Sequence, residues 1–513
     1  MDWRQRFAVF TLPAVVSSIF SFDLLMPNLP TKLYRTKQVR ELDRLTIQTA
    51  GISGFELMSR AGEVVFQWIC RQYPQVRSLA VFCGAGNNAG DGYIVASLAK
   101  YAGFLVNVYS CIDPEQLKGD AGSAYKNYVK DKGNVIPFQA DQFISADIIV
   151  DALFGTGLDR PVSGIYAEAI NTINRQEKKV VAIDIPSGLN ADTGNIMGLA
   201  VKADSTVSFI GLKQGLLTGL APDYCGEIIY DSLSVPDSVF ESVPASAIRI
   251  IKNPWPDRNR CSHKGDYGHV LIVGGDRGYS GAARLAGEAA LRMGTGLVSV
   301  ATHREHAGTL NQGRPELMCH GVQYVRDLTM LMEKADVVVL GPGLGQTDWA
   351  KVLFACALSC NKKMVIDADA LNLLAQSPQN KDNWILTPHP GEAARLLNCT
   401  TSDILQDRFS AASAIQNKYG GVTVLKGAGT LIATAHEMAV STSGNPGMAT
   451  GGMGDVLSGV IAGLLAQGFS LPHAAQQGVY GHGSAADRAV KKSGERGLLA
   501  SDLMPYLRTW ANE

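Results

Sequence analysis

The sequence predicts an α/β protein of two three-layer domains, each a mainly parallel sheet with helices on both faces. Three observations predict it. Short aliphatic and β-branched runs alternate with segments whose apolar residues recur at helical spacing. Glycine, at 54 of 513 residues, exceeds the usual ~7% and suits the tight turns that such alternation needs. The length is too great for one core, since domains run to roughly 100–200 residues.

The elements follow in order. From Lys37 to Gln72 the apolar positions, among them Val39, Leu42, Leu45, Leu57, Met58, Ala61, Val65 and Ile69, keep helical spacing. A buried strand is expected at Ser78–Phe82, a loop at Cys83–Gly92, a helix from Tyr93 to Ala102 and a strand at Leu105–Ser110. Further strands are expected at Ile148–Ala152 and Val180–Ile185, with a helix over Ile165–Asn174 between them. Strands alternating with helices mean βαβ units. Pro236, Pro244, Pro254 and Pro256 break the pattern, and all nine histidines lie at or beyond His263. The expected division is therefore an extension over 1–30, one domain over 31–245 and a second over 246–513. In the second, strands are expected at His269–Val273, Leu297–Ala301, Val337–Leu340, Met364–Asp367, Trp384–Leu386 and Val422–Lys426. Helices are expected at Ala282–Met293, Trp349–Ser359, Ser402–Lys418, Gly454–Ala466 and Pro472–Lys491.

Composition narrows the function. Hydrophobic residues at 46% and charged residues at 18% describe a folded globular chain and exclude a disordered one or a coiled coil. A net charge of −1 and only 7% aromatics give no electrostatic or stacking reason to expect nucleic acid or an anionic membrane as partner. The nine cysteines form no C-x-x-C. Cys356 and Cys360 stand one helical turn apart, but without a second pair they read as small hydrophobes rather than metal ligands. Free thiols suit a reducing compartment, and a cytoplasmic homo-oligomer is the expectation. Arg4 and Arg6 precede an apolar stretch, Phe7 to Phe22, that resembles a weak signal sequence without a small-x-small cleavage site. Pro13 makes it a poor membrane span, and Met26 is an alternative start.

Polar chemistry gathers where the strands end. In open parallel sheets the ligand lies at that edge, because loops diverge there and helix N-termini point inward. The first segment is Gly84-Ala85-Gly86-Asn87-Asn88-Ala89-Gly90-Asp91-Gly92, glycines that permit close approach together with two asparagines and an aspartate. The second is Asp151-Ala152-Leu153-Phe154-Gly155-Thr156-Gly157-Leu158-Asp159-Arg160-Pro161, and the third Asp184-Ile185-Pro186-Ser187-Gly188. Asp151 and Asp184 each close a hydrophobic strand, where a carboxylate is costly unless paired, hydrogen-bonded or next to a cation. Helix capping is the bland alternative for either one alone.

These three segments, in this order, resemble the YjeF N-terminal domain, the NAD(P)H-hydrate epimerase, over about residues 35–235. Ala89 stands where that family usually has glycine, which a right-handed backbone tolerates. The resemblance implies a Rossmann-like fold that binds the hydrated dinucleotide through Asn87, Asn88, Ala89, Gly90, Asp91, Gly155, Thr156, Gly157, Leu158, Asp159, Arg160, Pro161 and Asp184. It also implies K⁺ near Asn88, Asp151 and Ser187. Epimerisation at C6 of the hydrate needs an acid for the departing oxygen and a base for the returning one. Asp151 and Asp184 are the candidates.

The second domain carries Asn445-Pro446-Gly447-Met448-Ala449-Thr450-Gly451-Gly452-Met453-Gly454-Asp455, leading into an apolar helix. Backbone amides at Gly452–Gly454 and the helix dipole suit a transferring phosphoryl group, and Asp455 in the first turn suits a proton acceptor. An N-cap aspartate is the alternative. The motif resembles the GxGD anion hole of ribokinase-like kinases, and no G-x-x-x-x-G-K-[ST] supports a P-loop. With Gly275–Ala282, Gly341–Gly345, Asp367–Asn372 and Thr387–Glu392, it resembles the ADP-dependent NAD(P)H-hydrate dehydratase, the YjeF C-terminal domain, over about 250–510. That resemblance implies that Ala282, Gly343, His389 and Asp455 contact the hydrate. It also implies that Lys426, Gly427, Ala428, Gly429, Thr430 and Gly454 contact the adenine nucleotide. Phosphoryl transfer needs charge neutralisation, so Mg²⁺ is expected with ADP, and Glu392 is a candidate outer metal contact. Together the two halves are expected to repair NADH and NADPH hydrates. A vitamin or sugar kinase is the rival for the second half, and a non-catalytic binding module for the first.

Overall fold

The computed structural model describes residues 29–513, so the readings of the apolar N-terminal stretch fall almost wholly outside the described residues. The first half is built on β2 (Ser78–Cys83), β3 (Leu105–Ser110), β4 (Asn134–Pro137), β5 (Ile148–Ala152), β6 (Lys179–Ile183), β7 (Ser205–Phe209) and β8 (Glu227–Asp231). They form one seven-stranded sheet in the order β4-β3-β2-β5-β6-β7-β8, and every pairing is parallel. The order runs outward in both directions from β2 and β5. Their C-terminal ends therefore form the topological switch point, the crevice where such sheets take ligands.

The second sheet has eleven strands. It comprises β1 (Lys32–Leu33), β9 (Ala247–Arg249), β10 (His269–Val273), β11 (Leu297–His303), β12 (Leu317–Val322) and β13 (Val337–Leu340). The rest are β14 (Lys363–Ile366), β15 (Trp384–Leu386), β16 (Val422–Leu425), β17 (Leu431–Ala433) and β18 (Met438–Val440). β10 to β16 pair in parallel, and β17 and β18 extend the sheet antiparallel. β1 comes from the start of the described chain yet pairs antiparallel with β9, Leu33 opposite Ala247. The described chain thus contributes a strand to the eleven-stranded sheet ahead, in sequence, of every strand of the seven-stranded one.

Parallel strands buried on both faces should be continuously apolar, and Val337–Leu340 and Val422–Leu425 are buried at every position. One core lies between the eleven-stranded sheet and the helices Ser280–Arg292, Met453–Ala466 and Leu471–Ser493. Two others cover the faces of the seven-stranded sheet. The fourth is shared: Ile185, Leu189, Leu212, Leu216 and Leu217 from the first half pack in one cluster with Leu340, Leu386 and Phe409 from the second.

Three expectations change in detail. The apolar periodicity over 37–72 is two helices, Thr36–Thr49 and Gly54–Gln72. Gly51 at φ +68° turns the chain between them, and Ser53 caps the second by accepting from the Glu56 amide at 3.1 Å. The helix expected at 402–418 is likewise two, Thr401–Gln406 and Arg408–Tyr419, divided at Asp407, whose carboxylate accepts from the Ser410 amide at 2.9 Å. The segment expected to be a loop up to Gly92 is helical from Asn87 onward. Gly90 and Gly92 are small there because Met58 and Ala152 approach within 2.5 and 2.6 Å of where a Cβ would stand. Ala89 lies in that right-handed helix, fully buried, so its methyl causes no strain.

Leu33 is fully buried in the shared core. Leu33→Ala should cost about 2–5 kcal/mol of unfolding free energy, read as a lower denaturation midpoint in urea followed by circular dichroism.

Candidate active sites

At the switch point of the first sheet, β5 ends in Asp151 and β6 runs into Asp184. Asp151 is fully buried and accepts from the Ser187 hydroxyl at 2.6 Å, the Ser187 amide at 2.8 Å and the Leu153 amide at 3.2 Å. Burial raises its pKa to about 6, against the pull of those hydrogen bonds. Asp184 sits at φ +69°, a left-handed backbone that side chains rarely adopt. Such strain collects where a side chain must be aimed. One Asp184 oxygen takes the ammonium of Lys213, which also donates to the Ser208 hydroxyl at 3.2 Å and the Phe209 carbonyl at 3.1 Å. The other oxygen lies 3.4 Å from the point where a Gly155 Cβ would stand, and the Asn88 Oδ1 is equally near it. Asn88, Gly155 and Asp184 thus converge on one spot, where a Cβ on Gly155 would touch both oxygens at ordinary contact distance. Asn88 is buried with its Nδ2 unpartnered among the described residues.

Two carboxyls join this centre from helices. Burial lifts the Asp91 carboxyl well above its ordinary range, reinforced by Asp184 and Asp43 and opposed by Lys213. Burial likewise raises Asp43 to about 6, with Lys213 pulling it down and Asp184 pushing it up. Among the other expected residues, Asn87 is exposed, Thr156 and Leu158 are half-buried, and Asp159 and Arg160 pair with each other at 3.2 Å on an exposed rim beside Pro161. Arg40 reaches that rim, its Nη2 4.0 Å from the Cβ position of Gly157. Sequence reasoning missed Lys213 and Asp43. Lys213 is buried in a segment without a motif, and Asp43 shares an amphipathic helix with Leu42. No local signal separated either from a structural residue.

In the second sheet four loops meet above β10, β13, β14 and β15. The Asp276 amide donates to the Gly343 carbonyl at 2.7 Å. The Gly345 amide donates to Asp369 at 2.8 Å, and the Thr347 hydroxyl to Asp276 at 2.8 Å. Gly343 has φ +58°, and a Cβ there would come within 3.1 Å of that of Ala282. The two residues expected to touch one ligand are therefore neighbours.

Lys426 stands in the middle. It donates to Asp367 at 2.7 Å and faces Glu392 at 3.8 Å. Burial works against its charge, but Asp367 and Glu392 outweigh burial and raise its pKa. Asp367 also takes the Ser458 hydroxyl at 2.7 Å. A Cβ at Gly454 would lie 3.3 Å from the Lys426 Nζ, so the N-terminus of the helix Met453–Ala466 ends over this pair. Gly452, in the left-handed N-cap at φ +89°, makes that entry possible. Asp455 lies in the first turn with its pKa raised to about 7, by burial first and then by Asp367, with Lys426 pulling the other way. Burial raises Glu392 as well. His389 caps the helix Pro390–Leu397, its Nδ1 accepting from the Gly391 amide at 3.0 Å, and its ring stays half exposed beside Glu392. Asp367, in the Asp367–Asn372 segment, joins the lysine to the helix, a role its sequence context does not signal.

Two family models match the chain, "YjeF-related protein N-terminus" over residues 54–215 and "NAD(P)H-hydrate dehydratase" over 270–509. The chain is 49% identical to the bifunctional NAD(P)H-hydrate repair enzyme of Coxiella burnetii over 490 residues, covering 94% of this chain and 100% of that one. It belongs to the family of bifunctional NAD(P)H-hydrate repair enzymes. The Escherichia coli K12 member is 43% identical, over 94% of this chain and 95% of that one. Among solved structures, the ADP/ATP-dependent NAD(P)H-hydrate dehydratase of Bacillus subtilis, co-crystallised with ATP and Mg²⁺, covers 50% of this chain and 93% of its own. It is 29% identical, with a TM-score of 0.45. Both sites lie inside the spans matched by the two family models, apart from Arg40 and Asp43 on the helix before the first.

Asp184→Asn would strand the buried Lys213 ammonium. It should destabilise the protein by about 3 kcal/mol or more, while the double variant Asp184→Asn/Lys213→Met should recover much of that loss, both read by urea denaturation.

Proposed function

We propose that the chain repairs hydrated NADH and NADPH in two steps, R-to-S epimerisation in the first half and ADP-dependent dehydration of the S form in the second. The observation that carries this is the second site. A raised carboxyl, Asp455, lies in the first turn of a helix whose N-terminus ends beside a lysine held by two acids.

Hydroxide leaves poorly and phosphate leaves well, so dehydration through a phosphate ester is chemically direct. The C6 hydroxyl attacks the terminal phosphorus of ADP as Asp455 takes its proton. The bond from that phosphorus to the bridging oxygen breaks and AMP departs. The ring nitrogen then expels phosphate from C6, and loss of the C5 proton restores the C5–C6 double bond. Lys426 and the amides of Gly452–Gly454 would steady the charge that gathers on the transferring group. Ala282, Gly343 and His389 would border the hydrate, and Gly427, Ala428, Gly429 and Thr430 the rest of the nucleotide. Asp367, Asp369, Glu392 and Asp455 all act on this spot, but among the described residues no three acids, histidines or cysteines stand close enough to hold an ion by themselves, so a divalent cation would arrive on the nucleotide with Glu392 as an outer contact. Mg²⁺ bound with ADP would supply neutralisation of phosphate charge.

In the first site the ring nitrogen expels the C6 hydroxyl and water returns on the opposite face. Asp184 is the better candidate for the residue touching that oxygen. One of its oxygens faces the Gly155 opening, whereas Asp151 is enclosed by Ser187 and Leu153. Asp91 and Asp43, both raised, are the proton reserve beside it. Asn88, Asp151 and Ser187 offer amide, carboxylate and hydroxyl oxygens, the donor set of a hard cation. The unpartnered Nδ2 of buried Asn88 is an N–H donor and would answer an acceptor such as an oxygen of the hydrate, so the support for the cation is the oxygen donor set alone. K⁺ at this position would supply a fixed positive charge close to the departing oxygen. Nine free thiols suit a reducing compartment, and no described helix is long and apolar enough to cross a membrane. A cytoplasmic homo-oligomer completes the reading.

Mixed hydrate epimers with ADP should regain 340 nm absorbance and release free phosphate in equal amount. A persistent phosphorylated alcohol would instead mark a vitamin or sugar kinase. Asp455→Asn should lower dehydration at least about hundredfold and leave epimer exchange intact. The Asp455 carboxyl is protonated below about pH 7 and cannot then accept a proton. The dehydration rate should therefore rise with pH, reach half its plateau near 7, and lose this limb in Asp455→Asn.

Replacing K⁺ by tetramethylammonium should slow epimer exchange followed by chromatography while phosphate release from pure S hydrate continues.

A further inference from the structure

The loop Lys426–Thr430 is open at its tip, where Gly427 and Ala428 are exposed, yet its carbonyls are gripped from beneath. The grip comes from two places. Arg408, nearly fully buried, opens the helix Arg408–Tyr419 and spreads its guanidinium over the loop. Nη2 donates to the Leu425 and Lys426 carbonyls, each at 3.2 Å, and Nη1 to the Ala428 and Gly429 carbonyls. The same Nη1 donates to the hydroxyl of Thr218, which belongs to the other half of the chain. Thr218 is fully buried and its hydroxyl donates a hydrogen bond to the Gly429 carbonyl at 2.8 Å. The Gly219 amide adds a bond to the Ala428 carbonyl at 3.3 Å. Contact is flush: a Cβ on Gly429 would stand 1.9 Å from the Leu217 carbonyl oxygen and 2.6 Å from the Thr218 Cα.

The stretch that presents Thr218 is itself rigidly held. Every residue from Gly211 to Thr218 is buried, an arrangement loops avoid unless their polar groups are answered. Here they are. Tyr34 and Leu212 exchange one backbone bond, Gln214 returns another to Tyr34, and Gly215 donates to the Ala191 carbonyl. Lys213, five residues before Thr218, is the lysine on Asp184.

We propose that Thr218, contributed by the epimerase half, is a positioning residue of the dehydratase half: with Arg408 it holds the loop 426–430 in the shape that receives ADP. This rests on the reading of that loop as the nucleotide site. Removing a buried hydroxyl that both accepts from a guanidinium and donates to a loop carbonyl breaks two of the bonds that fix the loop, leaving the guanidinium and the Gly219 amide to hold the Ala428 and Gly429 carbonyls from that side. The loop then spends less time in the binding shape, and the apparent affinity falls in proportion.

The test compares Thr218→Val, which keeps the shape and loses the hydroxyl, with Thr218→Ser, which keeps the hydroxyl, in the full chain. Thr218→Val should raise KM for ADP about tenfold while kcat and the rate of epimer exchange stay near native, and Thr218→Ser should restore the native KM. Lys426→Met serves as the control, with ADP binding measured by calorimetry. ADP binding lost in Lys426→Met but native in Thr218→Val overturns the positioning role and leaves the nucleotide site standing. ADP binding native in both overturns the nucleotide reading of the loop, and the proposal with it. A fall in kcat and melting temperature that Thr218→Ser does not relieve overturns the proposal by reducing Thr218 to a packing residue.

Discussion

A carboxylate buried at the end of a parallel strand is tolerable only where a cation or a set of donors answers it, and each half of this chain is organised around one such pair. Lys213 answers Asp184 and Lys426 answers Asp367. Each acid follows a buried strand, and each strand end carries a left-handed non-glycine residue, Asp184 itself at φ +69° and Ala368 at φ +48°. Leaving either charge alone would cost several kcal/mol. The pairs therefore set where the surrounding loops must come, and glycines at 155 and 454 keep side chains out of the space beside them.

The two sites use this device differently. In the first, burial and then the neighbouring acids make Asp43 and Asp91 keep protons to higher pH than ordinary carboxyls, against the pull of the buried lysine below the opening. Proton exchange at a carbon-bound oxygen suits that arrangement. In the second, the lysine points up beside a helix N-terminus, and the positive end of the helix adds to its charge. That combination suits the negative charge of a phosphoryl group in transfer.

Most of this architecture was legible in the sequence, because buried parallel strands are short apolar runs and their ends are marked by Gly and Asp. Val337–Leu340 and Trp384–Leu386 could be read directly from their residues. Short or edge strands could not. Lys32–Leu33, Ala247–Arg249 and Met438–Val440 have too few residues to show a period, and they are strands because of what lies beside them. The helix from Asn87 escaped notice because Asn and Gly favour turns locally, while packing against Met58 and Ala152 overrides that preference. Of the sites, the residues in Gly-rich motifs were visible and those answering them from elsewhere were not. Lys213 and Asp43 acquire meaning only when the chain brings them to Asp184, and the Asp367–Lys426 pair joins segments 59 residues apart.

The antiparallel pairing of Leu33 with Ala247 has a further consequence. Because the opening strand is laced into the far sheet, a gene cut at the middle would free neither enzyme cleanly. The downstream fragment would expose β9 as a raw edge, open to pairing with another molecule. The upstream fragment would carry Leu33 without the second-half residues of the core that buries it. Separating the two activities therefore moves the border of that sheet from β1 to β9.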